Sequence, residues 1–250
     1  MLAALLVALG AAAPVRAGAA AKPALVPPVA LNIVHHKVKR QTAPAYQSLE
    51  ASIVSAYDRA KIPLYWIAFQ STKDPRDVVY LNVYDSRDGL QHATDTYRML
   101  APAHPELARL STRLSAMIDA QTSTLTTRRD EVPFTRTDVD FSTMRAMMLA
   151  TFQVNPGHEG QFIDAVRKAG AGGAPWIVYE STADPTFVML WPLRSQSEAK
   201  SATVPRALRE LRRAYKRADV ALYALSSSMS RVPVEYFAKA KSAAPKPKAH

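Results

Sequence analysis

Two histidines stand side by side at His35-His36, inside the apolar, β-branched stretch Leu31–Val38 that predicts a strand. Neighbours on a strand point to opposite faces, so the pair cannot ligate one ion together without distortion. No H-E-x-x-H occurs, and the chain has no cysteine to supply the thiolates of many zinc sites. No metal or other cofactor is expected. His158 and Glu159 follow Pro156-Gly157 at a predicted helix start, where Glu159 suits the helix dipole and His158 faces solvent. The chain holds no G-x-S-x-G elbow, P-loop or G-x-G-x-x-G. Gly170-Ala171-Gly172-Gly173 lies after a helix and before a strand, the wrong side for cradling a phosphate. No catalytic residue is assigned. What remains is binding chemistry: Trp66 and Trp176 as aromatic walls, with Gln70, Glu180, His35, Tyr80 and Asn82 to orient a ligand.

The elements that would carry these residues occur twice. Tyr65–Pro75 reads YWIAFQSTKDP and Pro175–Pro185 reads PWIVYESTADP, with six of eleven positions identical at an offset of 110. Upstream, Val38 and Tyr46 match Val154 and Phe162; downstream, Val78 matches Val188 and Val132-Pro133 matches Val232-Pro233. In the first copy, Tyr46, Leu49, Ile53, Tyr57 and Ala60 make a helical stripe after the opening strand. Leu64–Ser71 and Val78–Tyr84 read as a hairpin around Lys73-Asp74-Pro75. A second helix through Leu107, Leu110 and Leu114 and a strand at Thr122–Thr127 complete the unit. The second copy reads Met147–Val154, Gly157–Ala169, Trp176–Ser181, Phe187–Leu193, Pro205–Asp219 and Val220–Ser226 in the same order.

That order predicts an α+β fold: two ferredoxin-like β-α-β-β-α-β repeats, over 29–137 and 143–237, each a four-stranded sheet with helices on one face. The second strand is apolar on both faces, with Tyr65, Ile67 and Phe69 alternating with Trp66 and Ala68. Its uncovered face must be buried, and packing the two sheets together as an internal pseudo-dimeric barrel does so. Val34, His36 and Val38 then face the helices, while Ile33, His35 and Lys37 face the other sheet. One inter-sheet cleft is expected to collect the mixed faces, with Trp66, Ala68 and Gln70 among them. Val154-Asn155-Pro156-Gly157-His158-Glu159-Gly160-Gln161-Phe162 and Val83-Tyr84-Asp85-Ser86-Arg87-Asp88-Gly89-Leu90 resemble strand-to-helix entries of the dimeric α+β barrel superfamily. That superfamily includes antibiotic-biosynthesis-monooxygenase-like and NIPSNAP-like domains. The resemblance implies the fold. It carries no catalytic set onto this chain residue by residue, and fold alone does not give function.

Composition bounds the rest. The formal net charge is +11, with Arg206, Arg209, Arg212, Arg213, Lys216 and Arg217 crowded onto one predicted helix. Such a face suits anionic envelope polymers better than specific nucleic acid in an exported protein. An apolar run from Leu2 to about Ala13, before small residues near Ala17-Gly18-Ala19, predicts a signal peptide over 1–20. A periplasmic or secreted location follows, and 238–250 is expected to be a disordered basic tail. The expected function is binding a small, partly apolar ligand between the sheets, or scaffolding, without catalysis. A monooxygenase- or isomerase-like enzyme and an adaptor on anionic envelope polymers are the alternatives.

Overall fold

The computed structural model describes residues 27–132, 144–171, 176–200 and 213–232. The stretch 1–20 predicted as a signal peptide, the tail predicted over 238–250, Gly172-Gly173 and Arg206, Arg209 and Arg212 lie outside them.

Eight strands close into one antiparallel barrel in the order β1-β3-β2-β8-β5-β7-β6-β4. The first repeat contributes β1 (Ala30–Val38), β2 (Trp66–Ser71), β3 (Asp77–Tyr84) and β4 (Ile118–Arg128). The second contributes β5 (Ala146–Val154), β6 (Ile177–Ser181), β7 (Thr186–Leu193) and β8 (Tyr215–Leu225). The two sheets meet at equivalent seams, β2 on β8 with Ser71 opposite Tyr223 and β6 on β4 with Ser181 opposite Thr126. The opening strands carry matching irregularities, at Lys37/Val38 and at Gln153/Val154. In each case the extra residue lies on the partner strand, Asp119 in β4 and Lys216 in β8.

Among the described residues, the helices lie on the outside of the barrel. α1 (Ala43–Ala60) and α3 (Pro105–Met117) lie over the first sheet and α4 (Glu159–Gly170) over the second. α1 begins on Pro44 at its first turn, where a missing N–H costs nothing, and ends on Lys61 in the left-handed region at φ 52°. Beneath α4, Phe162, Ile163 and Val166 pack on Phe152, Val154 and Phe187. Beneath α1, Tyr46 packs on Val38, Ala68, Val78 and Tyr80. The barrel interior is a separate core of Leu31, Ile67, Phe69, Leu81, Met147 and Leu149 with their neighbours.

The repeated Ser-Thr-x-Asp-Pro phrase makes the hairpin turn in both copies. Ser71 Oγ accepts from Lys73 N at 3.2 Å, and Ser181 Oγ accepts from Ala183 N at 3.2 Å. The first turn is one residue longer. Val38 N donates to Arg76 O and Val154 N to Pro185 O, so the copies run 109 apart from there (185 − 76) rather than 110. Val78 therefore corresponds to Phe187, not Val188, which corrects the sequence pairing.

Two further expectations are corrected. α2 (Gly89–Leu100) is an extra helix that the predicted element order omits, although the Val83–Leu90 phrase resembles a helix entry. Its apolar side of Leu90, Ala93 and Tyr97 is short and only half-buried, with Tyr97 against the Ala56, Ile62 and Leu107 cluster. It enters on Gly89 because a Cβ there would stand 2.5 Å from Tyr84 Cβ. β8 begins at Tyr215 and pairs with β5 along its whole length, so Lys216 and Arg217 lie on a strand and not on the predicted helix.

After β8 the chain crosses back to the first repeat. Arg231 exchanges backbone hydrogen bonds with Trp66, and its guanidinium, only 7% exposed, donates to Asp58 Oδ1 at 2.7 Å and to the carbonyls of Ile62 and Leu64. It also lies 5.0 Å from the Tyr65 ring centroid. Arg231→Met strands those acceptors and should lower the unfolding free energy by about 2–4 kcal/mol in urea titrations. Arg98→Ala breaks only the exposed pair with Asp95 and should change it by less than about 0.5 kcal/mol. Equal effects would show that Arg231 does not tie the repeats together.

Candidate functional site

Four polar side chains share the buried space between the first sheet and α1. Strand parity sends His36 and Tyr80 outward from β1 and β3, and Tyr46 and Glu50, one turn apart on α1, descend to meet them. Glu50 is 2% exposed, Tyr46 1%, His36 6% and Tyr80 6%. Tyr80 Oη donates to Glu50 Oε1 at 2.7 Å and Tyr46 Oη to the same oxygen at 3.1 Å. The two hydroxyls are 2.8 Å apart, and His36 Nδ1 lies 2.7 Å from Tyr46 Oη.

Burial sets the protonation of this group. It holds His36 down at about 4, helped by His35, while a Gln121 hydrogen bond works the other way. Burial likewise raises the Glu50 carboxyl, with the two tyrosine hydrogen bonds opposing it. Tyr46 and Tyr80 are raised first by burial and then by the Glu50 charge. The result is a neutral imidazole beside a carboxyl biased toward its protonated form, the arrangement that separates a base from an acid.

The network opens into a cavity of about 140 Å³ lined by Val34, His36, Glu50, Trp66, Tyr80 and Asn82. Val34 and Trp66 are its apolar walls. Trp66 is held by Nε1 donating to Met229 O at 2.7 Å and by an edge contact with Tyr57, whose ring centroid is 5.2 Å away. Asn82 is fixed by Nδ2 donating to Asn32 O at 3.1 Å.

The second repeat shows what the same positions need for folding alone. Ladder register places Phe152 where His36 stands, Met189 where Tyr80 stands and Trp191 where Asn82 stands. On the helices, Phe162 and Val166 replace Tyr46 and Glu50. All five replacements are buried in one apolar core. Trp191 packs edge-on against Trp176 with centroids 4.8 Å apart, in the place that corresponds to the first repeat's cavity.

The expected inter-sheet gathering of site residues is therefore corrected. Trp66, Tyr80 and Asn82 do line one cavity, but on the helix side of the sheet. Trp176 also faces its helix layer, buried, with Nε1 lacking a hydrogen-bond partner among the described residues. Gln70 bonds Gln47 and the Pro75 carbonyl at the surface, and Glu180 pairs with Arg129. Among the seven candidates, His35 alone faces the barrel interior, paired with Asp77 at the rim. His158 is exposed beside Gln161. Arg213, Lys216 and Arg217 are exposed around the start of β8. Among the described residues, no three His, Asp or Glu side chains gather to hold a metal ion. Glu50 is the residue the sequence reading missed. A carboxylate four positions after Tyr46 on an otherwise apolar stripe was the available signal.

No protein-family model matches the sequence, and comparison with curated proteins finds no match either. Solved structures do share the fold. An anthrone oxidase-like protein aligns at TM-score 0.55 and 11% identity over 82% of this chain and 94% of its own. A candidate monooxygenase of Fusobacterium nucleatum aligns at 0.53 and 9% identity, covering 80% of this chain and 93% of its own. A chlorite dismutase variant from Candidatus Nitrospira defluvii aligns at 0.53 and 10% identity, covering 86% and 97%. The chain has the dimeric α+β barrel fold. Here both halves of that barrel come from one polypeptide.

His36 should leave a measurable trace in stability. Its folded value near 4 lies below the ordinary 6.5, so the unfolded chain binds more protons between those values. Its contribution is present above about pH 6.5 and lost as pH falls toward 4. The shift is worth up to about 3 kcal/mol. His36→Phe should flatten the wild-type loss of unfolding free energy over that window, in urea titrations at pH 4, 5 and 6.5. A loss equally steep in the variant would mean His36 is not buried neutral.

Proposed function

We propose that the protein binds a single-ring, partly apolar molecule bearing a hydroxyl or carbonyl group, in the cavity between the first sheet and α1. One observation supports this above the others. The duplicated positions of the second repeat fold with Phe152, Phe162, Val166 and Met189 in place of His36, Tyr46, Glu50 and Tyr80. A buried polar network is often less stable than apolar side chains of similar volume, so the fold gives no reason to keep one. The cavity offers about 140 Å³, open on one side to solvent, which is room for a single small ring. Trp66 and Val34 would flank the ring, and Tyr80, His36, Glu50 and Asn82 would meet its polar group.

Phenol, titrated against the whole chain and followed by NMR, is a suitable probe. Asn82→Trp imports the second repeat's Trp191 and should abolish phenol binding while leaving the melting temperature unchanged or higher. Exchanging all four network residues for their second-repeat counterparts should stabilise the fold by about 1–4 kcal/mol and also abolish binding. Wild-type protein that takes up neither phenol nor cyclohexanone would end the reading.

A second, catalytic reading rests on the opposed shifts of His36 and Glu50. In this reading the neutral imidazole takes a proton from a bound carbonyl compound and the carboxyl returns one, an isomerase-like step. Cyclohexanone α-hydrogens should then exchange with D₂O faster with wild-type protein than with Glu50→Gln. Equal rates would reduce the site to binding alone.

A further inference from the structure

The inward face of the same barrel ends in a second cavity, of about 480 Å³. It is separate from the helix-side cavity, since no residue lines both. Along β1 the inward positions run Leu31, Ile33, His35, Lys37, and along β5 they run Met147, Leu149, Thr151, Gln153. Both series pass from the apolar interior to polar residues toward the same end. Both repeats contribute equivalent positions, Ile33 with Leu149, His35 with Thr151, Asp77 with Thr186 and Val79 with Val188. The cavity therefore sits on the axis relating the repeats.

Its lining has three levels. Ile33, Val79, Leu149, Val188 and Tyr223 make an apolar floor. Above it stand Thr122, Thr124, Thr151 and Thr186, whose hydroxyls have no hydrogen-bond partner among the described residues. Valine would fill each of these strand positions with the same shape and no polar atom. The rim carries His35 paired with Asp77 and Arg217 paired with Asp219 at 2.6 Å. Each rim carboxylate thus already has a basic side chain as its partner, which disfavours a charged guest that would have to break a pair. The threonines both donate and accept, so they suit hydroxyl groups.

We infer that this end of the barrel binds a neutral, multiply hydroxylated molecule with an apolar portion, the apolar part on the floor and the hydroxyls against the threonine level. A volume of that size lies within the range of ordinary small-molecule sites. The inference stands apart from the helix-side reading, and the two can fail separately.

The probe is 4-nitrophenyl β-glucoside, titrated by calorimetry against the whole chain, beside 4-nitrophenol, glucose and 4-nitrophenyl phosphate. The glucoside should bind, and the double variant Thr151→Val/Thr186→Val should weaken it at least tenfold without lowering the melting temperature. Asn82→Trp should leave glucoside binding unchanged while removing phenol binding, which keeps the two cavities distinguishable. Methyl NMR signals of Thr122 and Thr124, which line the cavity and remain in the double variant, should shift with the glucoside in the wild type and stay at their free positions in the variant. Three results would each overturn the inference: no glucoside binding, unchanged affinity in the threonine variant, or tighter binding of the phosphate than of the glucoside.

Discussion

A four-stranded sheet covered by helices on one face still has an apolar face open to water, and every larger feature of this molecule follows from closing it. Ile67, Phe69, Leu81 and Leu31 in the first repeat have no helix over them, and neither do Met147, Leu149, Ile177 and Leu190 in the second. Burying such side chains gains roughly 1.5–3 kcal/mol each. Neither sheet achieves this alone. Pairing β2 with β8 and β4 with β6 turns two exposed faces into one interior and removes all four free edges together. Tandem duplication supplies the second sheet within the same chain, so closure does not depend on protein concentration, as it would for two separate chains.

Duplication also frees the copies to differ. Closure requires matching registers at the seams and apolar inward faces, and both copies meet these conditions. It requires nothing particular of the layer beneath each helix except that it be filled. The second repeat fills its layer with Phe152, Phe162, Phe187 and two tryptophans in mutual contact. The first places a histidine, two tyrosines and a carboxyl there, and meets the desolvation cost with a short chain of hydrogen bonds. A network of this kind is stable only while every member keeps its partners. The two layers thus form an internal comparison in which sequence differs while architecture is held constant.

Much of this was legible in the sequence. The duplication gave the element order, and the two-sided apolar character of Leu64–Ser71 gave the closure of the two sheets. The assignment of faces failed on that same strand, for a physical reason. A strand buried on both sides has no polar alternation, so period two cannot say which parity faces the helices. The pattern places Trp66 and Trp176 inward beside Gln70 and Glu180, whereas the tryptophans pack on the helix side and the polar pair merely marks the strand end at the hairpin. The single-residue difference in the turn before β3 and β7 misaligned Val78 with Val188, and a shift of one residue inverts every face assignment. α2 falls outside the predicted order because its apolar side, Leu90, Ala93 and Tyr97, is short and only half-buried. β8 was shortened because its first half is basic and polar, its strand conformation coming from the ladder to β5 rather than from its own residues.

The adjacent histidines, unable to share a metal, acquire another meaning in this geometry. His36 belongs to the helix-side network and His35 to the rim of the barrel cavity, with only the β1 backbone between the two spaces. Their separation depends entirely on register. β1 is held on both sides, by β3 with His36 opposite Val78 and by β4 with His36 opposite Gln121, and the irregularity at Lys37/Val38 ends the regular ladder just beyond. A slip by one residue would exchange the two histidines and drive Ile33 and Leu31 toward the helices, emptying the barrel interior. The apolar residues of β1 therefore position its two polar ones. The burial that closes the barrel also decides which histidine meets which cavity.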